Sequence, residues 1–255
     1  MHRYFGKGHS MSKVIAVTSG KGGTGKSSIC ACLGYALAKK GHRTLIVELD
    51  IGLRCLDIML GMKGQIPYDL GNILDGSCDI YKATTVVGMA NNLNLICAPS
   101  DPFATITAEQ IKQITDEIRK YYEYIIIDTS AGINENVFDI VAQSDMIMIV
   151  TTPDPICVRD AQMMSDEFYK RGNQKQRLII NKVNKKMLSH RLVDNLDEII
   201  DTVGVQLIGV IPDDGAIAVA TGKGTAIDYK SMASLAFNAI SNRIKGDDVP
   251  LAIKI

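Results

Sequence analysis

Gly20-Lys21-Gly22-Gly23-Thr24-Gly25-Lys26-Ser27-Ser28 is the stretch from which the rest of the chain can be read. A β-branched run, Val14-Ile15-Ala16-Val17-Thr18, precedes it, and a helical pattern over 29–40 follows. In that strand–loop–helix context the spacing G-x-x-x-x-G-K-[ST] describes a phosphate cradle. Glycines let the backbone approach the phosphates and turn its N–H groups toward them. The helix N-terminus adds the positive end of its dipole. Lys26 is expected to reach the β- and γ-phosphates, and the Ser27 hydroxyl to ligate Mg²⁺. A second lysine, Lys21, stands inside the loop, where phosphate binding alone has no fixed need for it.

The chain of 255 residues is 46% hydrophobic, enough to bury a full core. Basic and acidic residues number 28 each, so net charge gives no global pull toward nucleic acid or an anionic membrane. No apolar run approaches the roughly 20 residues of a membrane span, and the first residues lack a signal peptide's apolar core. A cytoplasmic location is expected. The six cysteines form no C-x-x-C pair and read as reduced, mostly buried small apolar residues, not as metal ligands or disulfides.

Apolar runs alternate with helical patterns along the chain. Strands are expected at 44–49, 93–98, 124–128, 146–150, 178–180 and 206–211. Helical pieces are expected at 53–60 and 68–74, and a last long helix at 229–245. Thr107 and Gln110 form a capping box ahead of the stripe Ile111, Ile114, Ile118. Leu192, Val193, Leu196, Ile199 and Ile200 mark another amphipathic helix, and Gly41 suits the left-handed stop of the first. Continuous apolar strands indicate a parallel sheet covered on both faces. With no linker and no repeat, the expectation is one α/β domain at 13–246, doubly wound around a mostly parallel sheet. Residues 1–12 are then a disordered leader or cloning remnant, and 247–255 a short tail.

Ligands in such a fold sit at the carboxyl ends of the strands. Asp128 follows four apolar residues there, as an acid that holds Mg²⁺ opposite Ser27 should. Asp50, at the tip of the preceding expected strand, is placed to position or polarise an attacking water; its competing reading is a helix cap. Glu48 reads equally well as a solvated strand-end charge and is left out of the site.

Residues 20–28 resemble the deviant Walker A motif of the ParA/MinD ATPases. Val47-Glu48-Leu49-Asp50-Ile51-Gly52-Leu53-Arg54-Cys55-Leu56-Asp57 is similar to the switch I segment of the MinD branch. Ile127-Asp128-Thr129-Ser130-Ala131-Gly132 resembles its switch II, and Val158-Arg159-Asp160 and Val210-Ile211-Pro212 match further blocks. The resemblance implies an ATP- and Mg²⁺-dependent switch whose ATP-bound form is a homodimer, with regulatory partner proteins. It implies that Lys21 crosses to the partner's phosphates, acting with Lys26 and Asp50 in catalysis. Gly22, Gly23, Thr24, Gly25, Lys26, Ser27 and Ser28 would bind the phosphates, Ser28 at the α-phosphate. Asn181 would read the adenine, with the backbone near Pro212 and Asp213 packing beside it.

Three departures stand out. The family's usual aspartate is Glu48 here, and its usual proline is Ser130, which loosens switch II without removing a catalytic group. MinD proteins also carry a basic amphipathic helix at the C-terminus that attaches to membrane. Only nine residues follow Gly246, at most about two turns and too few for a stable interfacial anchor. Two other functions compete with the cell-division switch: a DNA-partitioning ATPase, using Lys223, Lys230, Arg243 and Lys245 as a basic face, and a nucleotide-loaded scaffold with little hydrolysis. The switch I wording favours the first over DNA partitioning, and the full set of acids argues against a dead site.

Overall fold

Strand β1 (Lys13–Thr18) is apolar at successive positions because both of its faces are covered: Val14 and Ala16 enter one core, Ile15 and Val17 the other. The computed structural model describes residues 12–184 and 196–251. From β1 the chain runs through α1 (Lys26–Lys39), β2 (Thr44–Glu48), α2 (Leu56–Met59), α3 (Leu70–Leu74), α4 (Ile80–Ala83), β3 (Thr85–Val86) and β4 (Leu93–Ile96). It continues with α5 (Ala108–Ile118), β5 (Tyr124–Asp128), α6 (Glu135–Val141), β6 (Met146–Thr151), α7 (Pro155–Lys170) and β7 (Gln176–Val183). After residue 195 come α8 (Leu196–Val203), β8 (Leu207–Pro212), α9 (Gly215–Lys223) and α10 (Met232–Lys245).

The strands form one sheet in the order β3-β4-β2-β5-β1-β6-β7-β8, parallel throughout except for β3 on the edge. This is the doubly wound arrangement expected from the continuous apolar strands. Strand β1 lies between β5 and β6, so its carboxyl end opens at the point where the strand order reverses. One face of the sheet packs Ile15 and Ile126 with Leu33 and Leu37 of α1 and with Phe237 and Ile240 of α10. The other packs Ile125 and Ile127 with Ile111, Phe138, Met164 and Phe168. Phe138 and Phe168 meet edge-on, their centroids 4.9 Å apart.

Local signals account for the element ends. Helix α1 stops where Gly41 adopts φ +93°, and α5 starts at the Thr107–Gln110 capping box. Helix α7 starts at Asp154, whose carboxylate accepts from the N–H groups of Ile156 and Cys157, with Pro155 in the first turn.

Several elements differ from the sequence expectation. The pieces at 53–60 and 68–74 shrink to α2 and α3, while 178–180 lengthens into β7. Sequence reading assigns nothing to α4, α6, α7, α9 or the antiparallel β3. The buried face of α7, Cys157, Val158, Ala161, Met164, Ser165 and Phe168, keeps helical spacing, but the exposed Ile156, Met163 and Tyr169 blur that stripe in the sequence. Residues 1–11 of the expected leader, Leu192, Val193, and 252–255 of the tail lie outside the described residues. Residues 247–251 form no helix or strand; the Arg243 guanidinium binds the carbonyls of Ile208, Val249 and Pro250 at 2.8–3.0 Å.

Phe237 is 1% exposed and spans the contact of α10 with the sheet. Phe237→Ala should destabilise the fold by about 3–5 kcal/mol, the usual cost of emptying an aromatic site. Urea denaturation followed by circular dichroism measures it.

Candidate functional site

Between β1 and α1 the chain forms the glycine-rich loop 19–25. Gly25 forms the N-cap of α1 at φ +96°, and a Cβ there would lie 2.4 Å from the Asn181 amide nitrogen. No side chain fits without displacing Asn181. That amide donates to the Thr24 carbonyl at 2.7 Å, and the neighbouring Lys182 ammonium donates to the Gly23 carbonyl at 2.8 Å. At the other end of the loop, Gly132 N–H donates to the Ser19 carbonyl at 3.0 Å, tying the expected switch II to the loop.

The two loop lysines occupy opposite environments. Lys26 is 6% exposed at the first position of α1, so its ammonium and the helix dipole present charge of one sign. Among the described residues it joins no ion pair, and its charge lowers both Asp50 and Asp128. Such a concentration of positive field invites an anion. Lys21, with Gly22 and Gly23, is exposed on the rim. Ser27 and Ser28 are half-buried in the first helical turn.

Asp128 is fully buried at the end of β5, and neither carboxylate oxygen has a hydrogen-bond partner. Burial pushes its carboxyl up to about 7, against the partial pull of the Ser27 hydroxyl and the Lys26 charge, with Glu48 adding to the rise. A partnerless buried carboxylate beside a serine hydroxyl suits a hard cation whose other ligands are phosphate and water. Asp128 and Ser27 therefore fit Mg²⁺. The described residues contain no cluster of three His, Cys, Asp or Glu side chains that would hold a metal without the nucleotide. Asp50 is half-buried; burial raises its carboxyl and Lys26 lowers it. It caps no helix, since the N-cap of α2 is Cys55.

Glu48 corrects the sequence reading. It is not a solvated charge: it is 0% exposed and registers directly beside Asp128 on the neighbouring strand. Its Oε1 accepts from Cys55 N–H at 2.7 Å and Leu56 N–H at 2.9 Å, and its Oε2 from Ala98 N–H at 3.3 Å. Burial raises its carboxyl, and these three bonds offset only part of the rise. Glu48 thus pins the far end of switch I to the sheet, a role that strand position alone does not reveal.

The residues expected beside the adenine lie near the ends of the neighbouring strands β7 and β8. Asn181 is 4% exposed; with its amide nitrogen on Thr24, its Oδ1 is a buried acceptor without a partner. Asp213 N–H donates to the Val183 carbonyl at 2.9 Å, so the half-buried Pro212 and exposed Asp213 lie at the next strand end. Beneath the two switches lies a cavity of about 200 Å³, lined by Leu49 and Ile51 of one and Thr129 and Ser130 of the other, with α6 behind. Of the six cysteines five are buried, Cys55 is half-buried, and all are free.

Residues 15–227 match the CobQ/CobB/MinD/ParA nucleotide binding domain. The septum site-determining protein MinD of Bacillus subtilis is 34% identical over 248 residues, covering 95% of this chain and 92% of that protein. Among solved structures, the MinC:MinD cell division protein complex of Aquifex aeolicus superposes with a TM-score of 0.88 at 31% identity, covering 95% of this chain and 99% of that one. MinD of Pyrococcus horikoshii, solved with Mg-ADP, gives 0.82 at 22% identity, covering 92% and 96%; that likeness shows the fold.

Two consequences of the buried acids can be measured. The folded state binds the Asp128 proton more tightly than the unfolded chain, whose carboxyl sits near 3.8. That stabilisation is complete below pH about 4 and is lost as pH rises through about 7. Metal-free Asp128→Asn should therefore melt above wild type at pH 8, by an amount that closes on acidification, and should lose Mg²⁺-dependent nucleotide binding. Glu48→Ala should leave three backbone N–H groups without acceptors and cost about 3 kcal/mol or more. Hydrogen exchange should speed up at Cys55, Leu56 and Ala98 first.

Proposed function

The chain belongs to the MinD family of septum site-determining proteins within the CobQ/CobB/MinD/ParA nucleotide-binding group, and from this we propose that its loop, acids and exposed Lys21 make one half of a composite ATP-hydrolysing site. It is a P-loop ATPase of cell division, with ATP as substrate and Mg²⁺ as metal. The observation that carries the site reading is the buried, partnerless Asp128 carboxylate beside Ser27 and Lys26.

In this reading the N–H groups of 22–26 and the Lys26 ammonium bind the phosphates, while Ser28 reaches the α-phosphate. Ser27 and Asp128 hold Mg²⁺, which when bound neutralises charge across the β- and γ-phosphates. Asp50, its carboxyl raised by burial, orients the attacking water and takes up its proton. Asn181 accepts from the adenine amino group through Oδ1, and Pro212 and Asp213 flank the base. Lys21, exposed and clear of its own cradle's interior, supplies its charge to the phosphates of a second copy. Closure of two copies thus depends on ATP, and hydrolysis releases them.

The domain spans 13–246 and acts from the cytoplasm, peripheral to the membrane, with a regulatory partner protein, as the Aquifex protein is found with MinC. No helix among the described residues is long and apolar enough to cross a membrane. Of the basic face that DNA partitioning would use, Arg243 is committed to the fold. Arg243 binds three carbonyls, Lys245 pairs with Asp247 at 3.9 Å, and Lys230 stacks on Tyr229.

ATP turnover and light-scattering mass test the composite site. Lys21→Ala should lose both hydrolysis and the ATP-dependent dimer, whereas Asp50→Ala should bind ATP and dimerise without turnover. A Lys21→Ala protein that hydrolyses and dimerises normally would overturn the reading.

A further inference from the structure

Lys182 is the only non-glycine residue at positive φ among the described residues, at +58°. A lysine gains nothing locally from the left-handed region, which costs free energy that glycine or asparagine largely avoids. The strain coincides with an irregularity in β7: its register on β8 shifts between Ile180 and Val183.

The effect of this kink is seen in what the two side chains touch. In a regular strand consecutive side chains point to opposite faces of the sheet. Here Asn181 and Lys182, consecutive in sequence, both reach the phosphate loop and bond to consecutive carbonyls, Thr24 and Gly23, at 2.7 and 2.8 Å. In a trans peptide the C=O of one residue and the N–H of the next point in opposite directions, and none of the described peptides is cis. Drawing the Gly23 carbonyl toward β7 turns the Thr24 N–H the other way, to the side of the loop away from β7. Drawing the Thr24 carbonyl does the same for Gly25 N–H.

We propose that Lys182 is a positioning residue of the phosphate cradle, holding the Gly23 carbonyl outward so that the Thr24 N–H is preset to receive phosphate. It touches no substrate; its ammonium acts through the loop. Gly23, at φ +80° and with open space where a side chain would stand, has no side-chain packing to fix it, so an external restraint on its carbonyl matters there. The strained backbone at 182 persists because both neighbouring side chains are anchored on the loop, a cost retained at a site where geometry is used. The inference rests on the loop binding ATP, as argued above.

The test uses the full chain and three variants: Lys182→Met removes the donor at similar length, Lys182→Gly removes donor and strain together, and Lys182→Arg keeps a donor. Loss of one charge-assisted bond predicts a rise of roughly five- to tenfold in KM for ATP and in the Kd of fluorescent ADP for the Met and Gly variants. Their kcat should stay within about twofold, and Arg should restore most of the affinity. The melting temperature of Lys182→Gly should equal or exceed that of wild type, because the strain is gone. Unchanged KM in both Met and Gly variants would overturn the proposal. So would an affinity loss that follows a lowered melting temperature and is not rescued by Arg. A wild-type chain without ATP turnover would instead sink the ATPase reading on which the proposal stands.

Discussion

Two buried carboxylates share the carboxyl ends of adjacent strands with one buried ammonium. Glu48 and Asp128 are register partners on β2 and β5, and Lys26 opens the helix that follows β1. Burying three ionisable groups is costly, and the two acids resolve the cost differently. Glu48 is satisfied by backbone N–H groups and becomes structure; Asp128 is left without a hydrogen-bond partner, which suits the metal-holding role proposed for it. The positive field of Lys26 and its helix end is likewise unspent. The fold therefore holds opposite unmet demands side by side, which a metal–nucleotide pair would answer together. Binding of both should stabilise the fold by ordinary mass action, well beyond what either contributes alone.

The same logic separates the two lysines of the loop. Five residues apart in sequence, Lys26 is enclosed and Lys21 is exposed, so one serves the cradle from within while the other is free to serve from outside. A desolvated charge acts strongly over a short distance; an exposed one is screened until another surface excludes the water. In the proposed composite site Lys21 would become effective only on closure, making association itself part of the switch.

Much of this was legible in the sequence, for identifiable reasons. The central strands are long apolar runs with no competing helical period, and the loop carries its function in its spacing. Asp50 and Asp128 were singled out because strand ends in a parallel sheet converge, and Asn181 through the family resemblance. What escaped notice depended on tertiary contacts. Helix α7 blurs its buried stripe with the exposed Ile156, Met163 and Tyr169. Glu48 reads as an end charge until Cys55, Leu56 and Ala98 are brought to it from two other segments. Lys182 looks like any exposed lysine, because nothing in its neighbours' chemistry signals a left-handed backbone or a register shift.

The position of β1 in the sheet has a consequence for how the molecule is made. The first strand of the chain pairs with the fifth and sixth, Lys13 with Tyr124 and Ile15 with Met146. During synthesis from the N-terminus, β1 and the loop behind it leave the ribosome long before either neighbour exists. A strand this apolar must wait unpaired while roughly half the chain is translated, the condition under which nascent chains engage chaperones or aggregate. Nor can ATP shorten the wait, because Asp128 emerges with the strand that ends it. The nucleotide site is thus a late product of folding, and slow closure of these distant contacts should govern how fast active protein appears.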